Sequence, residues 1–204
     1  VGPDGATHQA IEDIAIMRVM PNIFVLAPCD VHEARRMTEW AAAHTGPVYM
    51  RLARDKSAVL TTVDCPFEYG VAKTLAIKSD NHPVSVGIVT TGILGHEALL
   101  AAKKLEAEGV SASVLHVGTI KPLDTESIEV FAKTHDVLIT LEEHQVAGGL
   151  GGAVCEHLAA VNPTKVVRLG IKDQFGQSGT PTELWAHYGL DAAAVVQAAK
   201  AAVM

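Results

Sequence analysis

A carboxylate, a hydroxyl, an imidazole and a carboxamide stand within six residues near the start of the chain. They are Asp4, Thr7, His8 and Gln9 of the stretch Gly2-Pro3-Asp4-Gly5-Ala6-Thr7-His8-Gln9. Two glycines and a proline disfavour a regular strand there, and apolar residues at helical spacing follow, Ile11, Ile14, Ala15 and Met17. A polar, glycine-rich turn feeding a helix is a common design for a site at the edge of an α/β sheet. The same residues would also serve as a tail that caps the helix, and spacing alone leaves both readings open. A second pair with chemistry is Arg51 and Arg54. The planar fork of arginine suits phosphate or carboxylate; the plainer use is a surface salt bridge, for example with Asp55. Glu142-Glu143-His144 is a metal or acid–base candidate, although three adjacent residues do not easily face one point. The run 148–152, Gly-Gly-Leu-Gly-Gly, lacks the Lys-Ser/Thr of a phosphate-gripping loop and the spacing of a dinucleotide fingerprint. It reads as close packing of a loop, with an interface.

The elements that must hold these residues follow from periodicity and punctuation. The spacing predicts a helix over 10–19, stopped by Pro21-Asn22, then a strand over 23–27. Asp30, with Glu33 three residues on, opens a second helix that runs to about 44, and Gly46-Pro47 leads into a strand over 48–52. Helix–strand–helix–strand implies parallel strands with covering helices. One such unit is too small a sheet for a whole domain, so residues 1–60 read as an incomplete one. Residues 61–83 read as a linker, with a short strand or helical turn over 71–77 and the turn signal Ser79-Asp80-Asn81-His82-Pro83. Residues 84–204 alternate strands (84–90, 111–117, 137–141, 165–171) with helices (95–108, 124–135, a helix to 161, and two more starting at Thr180-Pro181-Thr182-Glu183 and after Asp191). In this reading 120–124 is a turn, and Glu142-Glu143-His144 follows the end of the third strand. The class is α/β, and the second segment is doubly wound and complete.

Composition narrows the function classes. A chain of 204 residues that is 49% hydrophobic is folded, and with only 4% aromatics its core rests on Ala, Val, Leu and Ile. A net charge of -7 disfavours a nucleic-acid platform. Cys29, Cys65 and Cys155 are odd in number and widely spaced, which suggests free thiols in a reducing, cytoplasmic setting rather than a disulfide framework or a zinc pattern. No apolar run approaches a membrane span. The start at Val-Gly-Pro, without Met, suggests a fragment, a processed product or a subset of a longer chain.

Taken together, the motifs resemble the transketolase family, which depends on thiamine diphosphate. Asp4-Gly5-Ala6-Thr7-His8-Gln9 with Ile11-Glu12-Asp13 is similar to that family's Asp-Gly-Pro-Thr-His-Gln signature, with Ala6 in place of the usual proline. Pro21-Asn22, Pro28-Cys29-Asp30, Gly46-Pro47 running to Arg54, Thr91-Gly92, Glu142-Glu143-His144 with Gly148-Gly149-Leu150-Gly151, and Gly170-Ile171-Lys172-Asp173 with Phe175-Gly176 and Ser178-Gly179 extend the likeness along the whole chain. It looks closest to the carboxyl-terminal half-proteins of split transketolases.

The resemblance implies that residues 1–60 belong to a pyrimidine-binding domain and 84–204 to the carboxyl-terminal domain. It places Asp4 where an aspartate contacts a sugar hydroxyl and His8 where a catalytic histidine contacts substrate oxygens and assists proton transfer. Arg54 falls where an arginine holds the sugar phosphate. A neutral imidazole can take and return a proton near pH 7, and the cofactor acts as the carbanion sink. The glutamate that activates the cofactor, its aromatic stack, and the diphosphate and Mg2+ site lie in regions absent from this chain. The resemblance therefore implies thiamine diphosphate and Mg2+ bound elsewhere, and a partner: an amino-terminal subunit or missing segment, in a homodimer or heterotetramer. No metal ligand is assigned within the chain, and neither nucleic acid nor membrane is expected as a partner. A deoxyxylulose-phosphate synthase, the β component of a 2-oxo acid dehydrogenase, and a non-catalytic interaction subunit are the alternatives.

Overall fold

The structure is a computed structural model that describes residues 4–79 and 81–203; Gly2 and Pro3 of the opening stretch and Asp80 of the turn signal lie outside the described residues. Helix α1 (Asp13–Val19) begins later than its apolar spacing predicts. A 3-10 turn at Ala6–His8 and a bend at Ile11, whose amide donates to Glu12 Oε2 at 2.8 Å, come first. Strand β1 (Phe24–Leu26), helix α2 (Val31–Ala43) and strand β2 (Val48–Met50) follow in the expected order, with β1 and β2 parallel. Asp30 caps α2 by accepting from the Glu33 amide at 2.9 Å. The other half of the capping box is not made, because Glu33 turns back to the Cys29 amide at 2.7 Å. Asp30 also accepts from Leu60 and Thr61, and so fastens the start of 61–83 to α2. A cluster of rings fastens the rest, with Trp40 stacked between His44 and Tyr69 at centroid distances of 4.7 and 4.6 Å.

The second sheet has the order β3-β5-β4-β7-β8, formed by β3 (Lys73–Ala76), β4 (Ser85–Thr90), β5 (Ser111–His116), β7 (Val137–Gln145) and β8 (Val166–Ile171). Strands β5, β4, β7 and β8 run parallel, and β3, from within 61–83, pairs antiparallel at the edge. Alternate residues feed two cores. Val86, Ile88, Ile139 and Leu141 pack with helices α3 (Gly95–Ala107) and α7 (Ala192–Val203). Val89, Leu115 and Leu138 pack with α4 (Thr125–Thr134) and α5 (Leu150–Val161). Helices on both faces make the segment doubly wound, as expected. Asp124 caps α4, and Thr180, Pro181 and Glu183 start α6 (Pro181–Tyr188) with a full capping box. Among the described residues no helix is long and apolar enough to cross a membrane.

Two expectations are corrected. Thr119–Lys121 is not part of a turn but a strand, β6, which adds antiparallel to β1, so the first sheet reads β2-β1-β6. Glu142, Glu143 and His144 do not follow the third strand; they are buried inside β7, which continues to Gln145. In the first place Pro122 beside polar residues reads locally as a turn, and in the second charged residues read as lying past the strand's end, while partners distant in sequence extend the pairing.

The junction of the two sheets holds Cys29, Glu33 and His116, donor atoms of which lie within 4.8 Å of one another. Glu33 Oε2 already meets the Cys29 amide and His116 Nε2, each at 2.7 Å, and Oε1 lies 3.7 Å from Lys73 Nζ. The set is a buried, hydrogen-bonded ion cluster with a cation beside it. Burial raises the Glu33 carboxyl, but the charge and hydrogen bond of His116 and the Cys29 contacts outweigh it, moving the pKa from 4.5 to about 2. A lowered carboxyl pKa contributes stability above the unfolded value and loses it as pH falls through the folded one. Thermal unfolding measured from pH 5 to 2 should therefore show a steeper loss for the wild type than for Glu33→Gln below about 4.5. Parallel curves would show that Glu33 does not carry this acid sensitivity.

Candidate functional site

Gly5 takes φ +92°, a conformation open to glycine, and lets the chain double back so that the His8 amide donates to the Gly5 carbonyl at 3.0 Å. The resulting turn presents Asp4 and His8 outward. His8 Nδ1 lies 2.9 Å from Thr7 Oγ1. Arg54, a few residues beyond β2, reaches the same turn and forms an ion pair with Asp4. His8 and Arg54 line one cleft of about 290 Å3, together with Tyr49, Arg51, Asp13 and Glu143. The three residues marked by the sequence thus converge, although they come from two separate stretches. The Arg54 and Asp4 side chains remain 60% and 28% exposed, so their pairing is weak and open to exchange.

The structure separates the two arginines. Arg51 is a scaffold residue, its side chain only 17% exposed. Its Nε lies 3.2 and 3.1 Å from the two Asp13 oxygens, and its Nη2 donates to the carbonyls of Ala10 and Glu143 at 2.9 and 2.8 Å. Nη1 stands 3.7 Å from Glu143 Oε2. Tyr49 donates to Asp13 at 2.7 Å, and Trp185 Nε1 donates to Glu143 at 2.9 Å. Burial, with Asp13 as acceptor, pushes the Tyr49 hydroxyl up to about 12. The sequence offers Arg51 as a ligand candidate beside Arg54; nothing in the local spacing announces Asp13 and Glu143 as its partners.

The remaining polar motifs form the wall behind the cleft. Along β7 the three polar residues take separate tasks, as strand alternation requires. Glu142 accepts from the Leu150 and Gly151 amides at 2.7 and 2.8 Å and so caps α5 from below. Burial pushes its carboxyl pKa up, against those two amides and His144, which pull it down. Glu143 faces Arg51 and Trp185. His144 donates from Nδ1 to the Gln145 carbonyl at 2.8 Å and accepts the Ala15 amide on Nε2 at 3.3 Å. The glycine run gives this carboxylate room: a Cβ on Gly149 would sit 2.0 Å from Glu142 Oε2. Arg18 donates to the Gly148 and Gly149 carbonyls at 2.6 and 3.3 Å, which locks α1 against the same turn. The run therefore serves close packing, as the sequence suggests.

The site lies where a pyrimidine-binding fragment would meet a carboxyl-terminal domain, and comparison with known proteins agrees. The family model described as "Transketolase, pyrimidine binding domain" matches residues 1–58, and "Transketolase, C-terminal domain" matches 76–195. The chain belongs to the transketolase family. A "Putative transketolase C-terminal section" of Methanocaldococcus jannaschii is 40% identical over 200 residues, covering 97% of this chain and 61% of that protein. The "6-deoxy-6-sulfo-D-fructose transketolase subunit SqwH" of a Clostridium species is 38% identical, covering 96% and 59%. A "1-deoxy-D-xylulose-5-phosphate synthase" of Leptothrix cholodnii is 42% identical over 96% of this chain and 30% of its own length. A solved structure titled "Split gene transketolase, inactive beta4 tetramer" superposes with a TM-score of 0.90 at 44% identity, over 98% of this chain and 64% of that one. The chain thus spans about 60% of the first two relatives' length.

Replacing the two arginines should separate their parts. Arg51→Leu strands Asp13 and Glu143, whose side chains are 8% and 5% exposed; removing one partner of a buried pair costs about 3–5 kcal/mol. Arg54→Leu removes an exposed pair worth no more than about 1 kcal/mol. Urea denaturation of the two variants checks this, and equal losses would contradict it.

Proposed function

We propose that this chain is the substrate-handling, carboxyl-terminal part of a thiamine diphosphate-dependent transketolase. It takes part in moving a two-carbon ketol unit from a ketose phosphate to an aldose phosphate. The observation that carries the reading is that His8 and Arg54 line one cleft and Asp4 pairs with Arg54 beside it. The exposed Asp4–Arg54 pair exchanges readily: the guanidinium trades a carboxylate for the substrate phosphate, and Asp4 trades the guanidinium for a sugar hydroxyl. Phosphate binding at Arg54 holds the remote end and orients the reacting end. His8, exposed on the cleft, accepts a proton from the donor sugar's hydroxyl and delivers one to the acceptor.

On this reading the cofactor site is built mainly elsewhere. The two carboxylates lining the cleft, Asp13 and Glu143, are committed to Tyr49, Arg51 and Trp185, which leaves neither open for Mg2+. Thiamine diphosphate and Mg2+ would be held mainly by regions outside these residues, on an amino-terminal subunit or segment, in a homodimer or heterotetramer. The likeness to a split-gene transketolase supports this reading. Three unpaired cysteines accord with a cytoplasmic place for it. Deoxyxylulose-phosphate synthase is the second reading, supported by the 42% identity to such an enzyme.

Mixing the chain with its amino-terminal counterpart, thiamine diphosphate, Mg2+, xylulose phosphate and ribose phosphate should yield ketol transfer, and neither part alone should. Turnover by the isolated chain would overturn the proposal, and product formation from pyruvate as donor would favour the second reading. In the active mixture His8→Ala should lower turnover by about 10²–10⁴. Arg54→Ala should raise KM for phosphosugars roughly 10–100-fold, the loss of charge-assisted hydrogen bonds. Equal use of unphosphorylated sugars by the wild type would remove Arg54 from the phosphate role.

A further inference from the structure

The loop after β8, Asp173-Gln174-Phe175-Gly176-Gln177-Ser178-Gly179, lies across the turn that carries His8. Gln9, buried at 8% exposure, donates from Nε2 to the Gln177 carbonyl at 2.8 Å. Gly176 lies flush against the same carboxamide: a Cβ there would stand 1.8 Å from Gln9 Oε1 and 2.9 Å from Cδ. Gly176 is not among the glycines with positive φ, so the missing side chain serves the approach of Gln9 rather than an unusual backbone. On the other flank of the turn, a Cβ on Gly5 would stand 2.8 Å from Ser178 Oγ.

The loop is itself held at several points. Gln145 donates to the Gln174 carbonyl at 2.8 Å and accepts the Asp173 amide at 3.0 Å. Tyr188 donates to the Phe175 carbonyl at 3.1 Å. The chain after His8 is gripped by the same domain, with the Gln145 amide donating to the Ile11 carbonyl at 2.8 Å.

We infer that Gln9 is a positioning residue, seated by the 174–178 loop of the carboxyl-terminal segment, and that this seat fixes where His8 stands. The carboxyl-terminal segment thereby shares in the reaction through the backbone of the turn. The catalytic consequence rests on the ketol-transfer reading; the seat does not. Placement errors of about 1 Å in a reacting group cost on the order of 100-fold in rate.

The test uses Gln9→Ala, Gly176→Ala and the double variant. Gly176→Ala displaces the far end of a flexible side chain, so the fold survives. Amide exchange over residues 6–10 should rise roughly tenfold in each single variant, the equivalent of one net hydrogen bond, with β4 and β7 unchanged. The double variant should match Gln9→Ala alone, because both changes break one contact. In the reconstituted complex, turnover should fall at least tenfold while KM for the phosphosugar stays within about twofold. Unchanged exchange in Gln9→Ala, effects that multiply in the double variant, or a change confined to KM would each overturn the inference. An inactive wild-type complex would sink the transferase reading, and the exchange measurements would still decide the seat.

Discussion

A guanidinium taken out of water must find its charge and all its donors matched, or the site collapses. Arg51 meets that demand with Asp13 from α1, the Ala10 carbonyl from the turn before it, and Glu143 from β7. Three stretches far apart in sequence are therefore held within reach of one side chain.

The same constraint explains why β7 ends in polar residues that are nevertheless buried. Each residue of Glu142-Glu143-His144 answers a backbone or a charge from elsewhere: the start of α5, Arg51 and Trp185, and the Ala15 amide. Strand β6 ties the first sheet to the second segment from another direction, and Lys121 Nζ donates to the Arg18 carbonyl at 2.8 Å. The two segments are thus joined by polar bonds with fixed partners. Such a junction holds the exposed residues Asp4, His8 and Arg54 on a rigid base, as a site with steep geometric demands requires.

Local chemistry was legible in the sequence. Asp30, Asp124 and Thr180-Pro181-Glu183 mark helix starts because a cap is made within four residues. The motif residues Asp4, His8 and Arg54 were legible from the resemblance, and the structure brings His8 and Arg54 to one cleft with Asp4 paired to Arg54. What was hidden depends on distant partners. Thr119–Lys121 beside Pro122 reads as a turn until β1 is placed alongside. Glu142 to His144 read as lying past the strand's end because charged residues seldom sit inside a strand buried on both faces. Arg51 and Arg54 differ by three positions, and the scaffold part of Arg51 shows only once Asp13 and Glu143 are placed. Gln9 stands in the motif, but nothing near it announces its partner, the backbone of a loop more than 160 residues away.

The two tryptophans stand in different segments, Trp40 on α2 and Trp185 on α6. Trp40 is sandwiched between His44 and Tyr69, where neighbouring rings set its optical environment. Trp185 has its indole N–H fixed on Glu143, the carboxylate that also faces Arg51. Excited at the red edge, the molecule thus emits from two chromophores with separate stories to tell. One follows the docking of 61–83 onto α2; the other reads the state of the buried charges behind the cleft, with no label added.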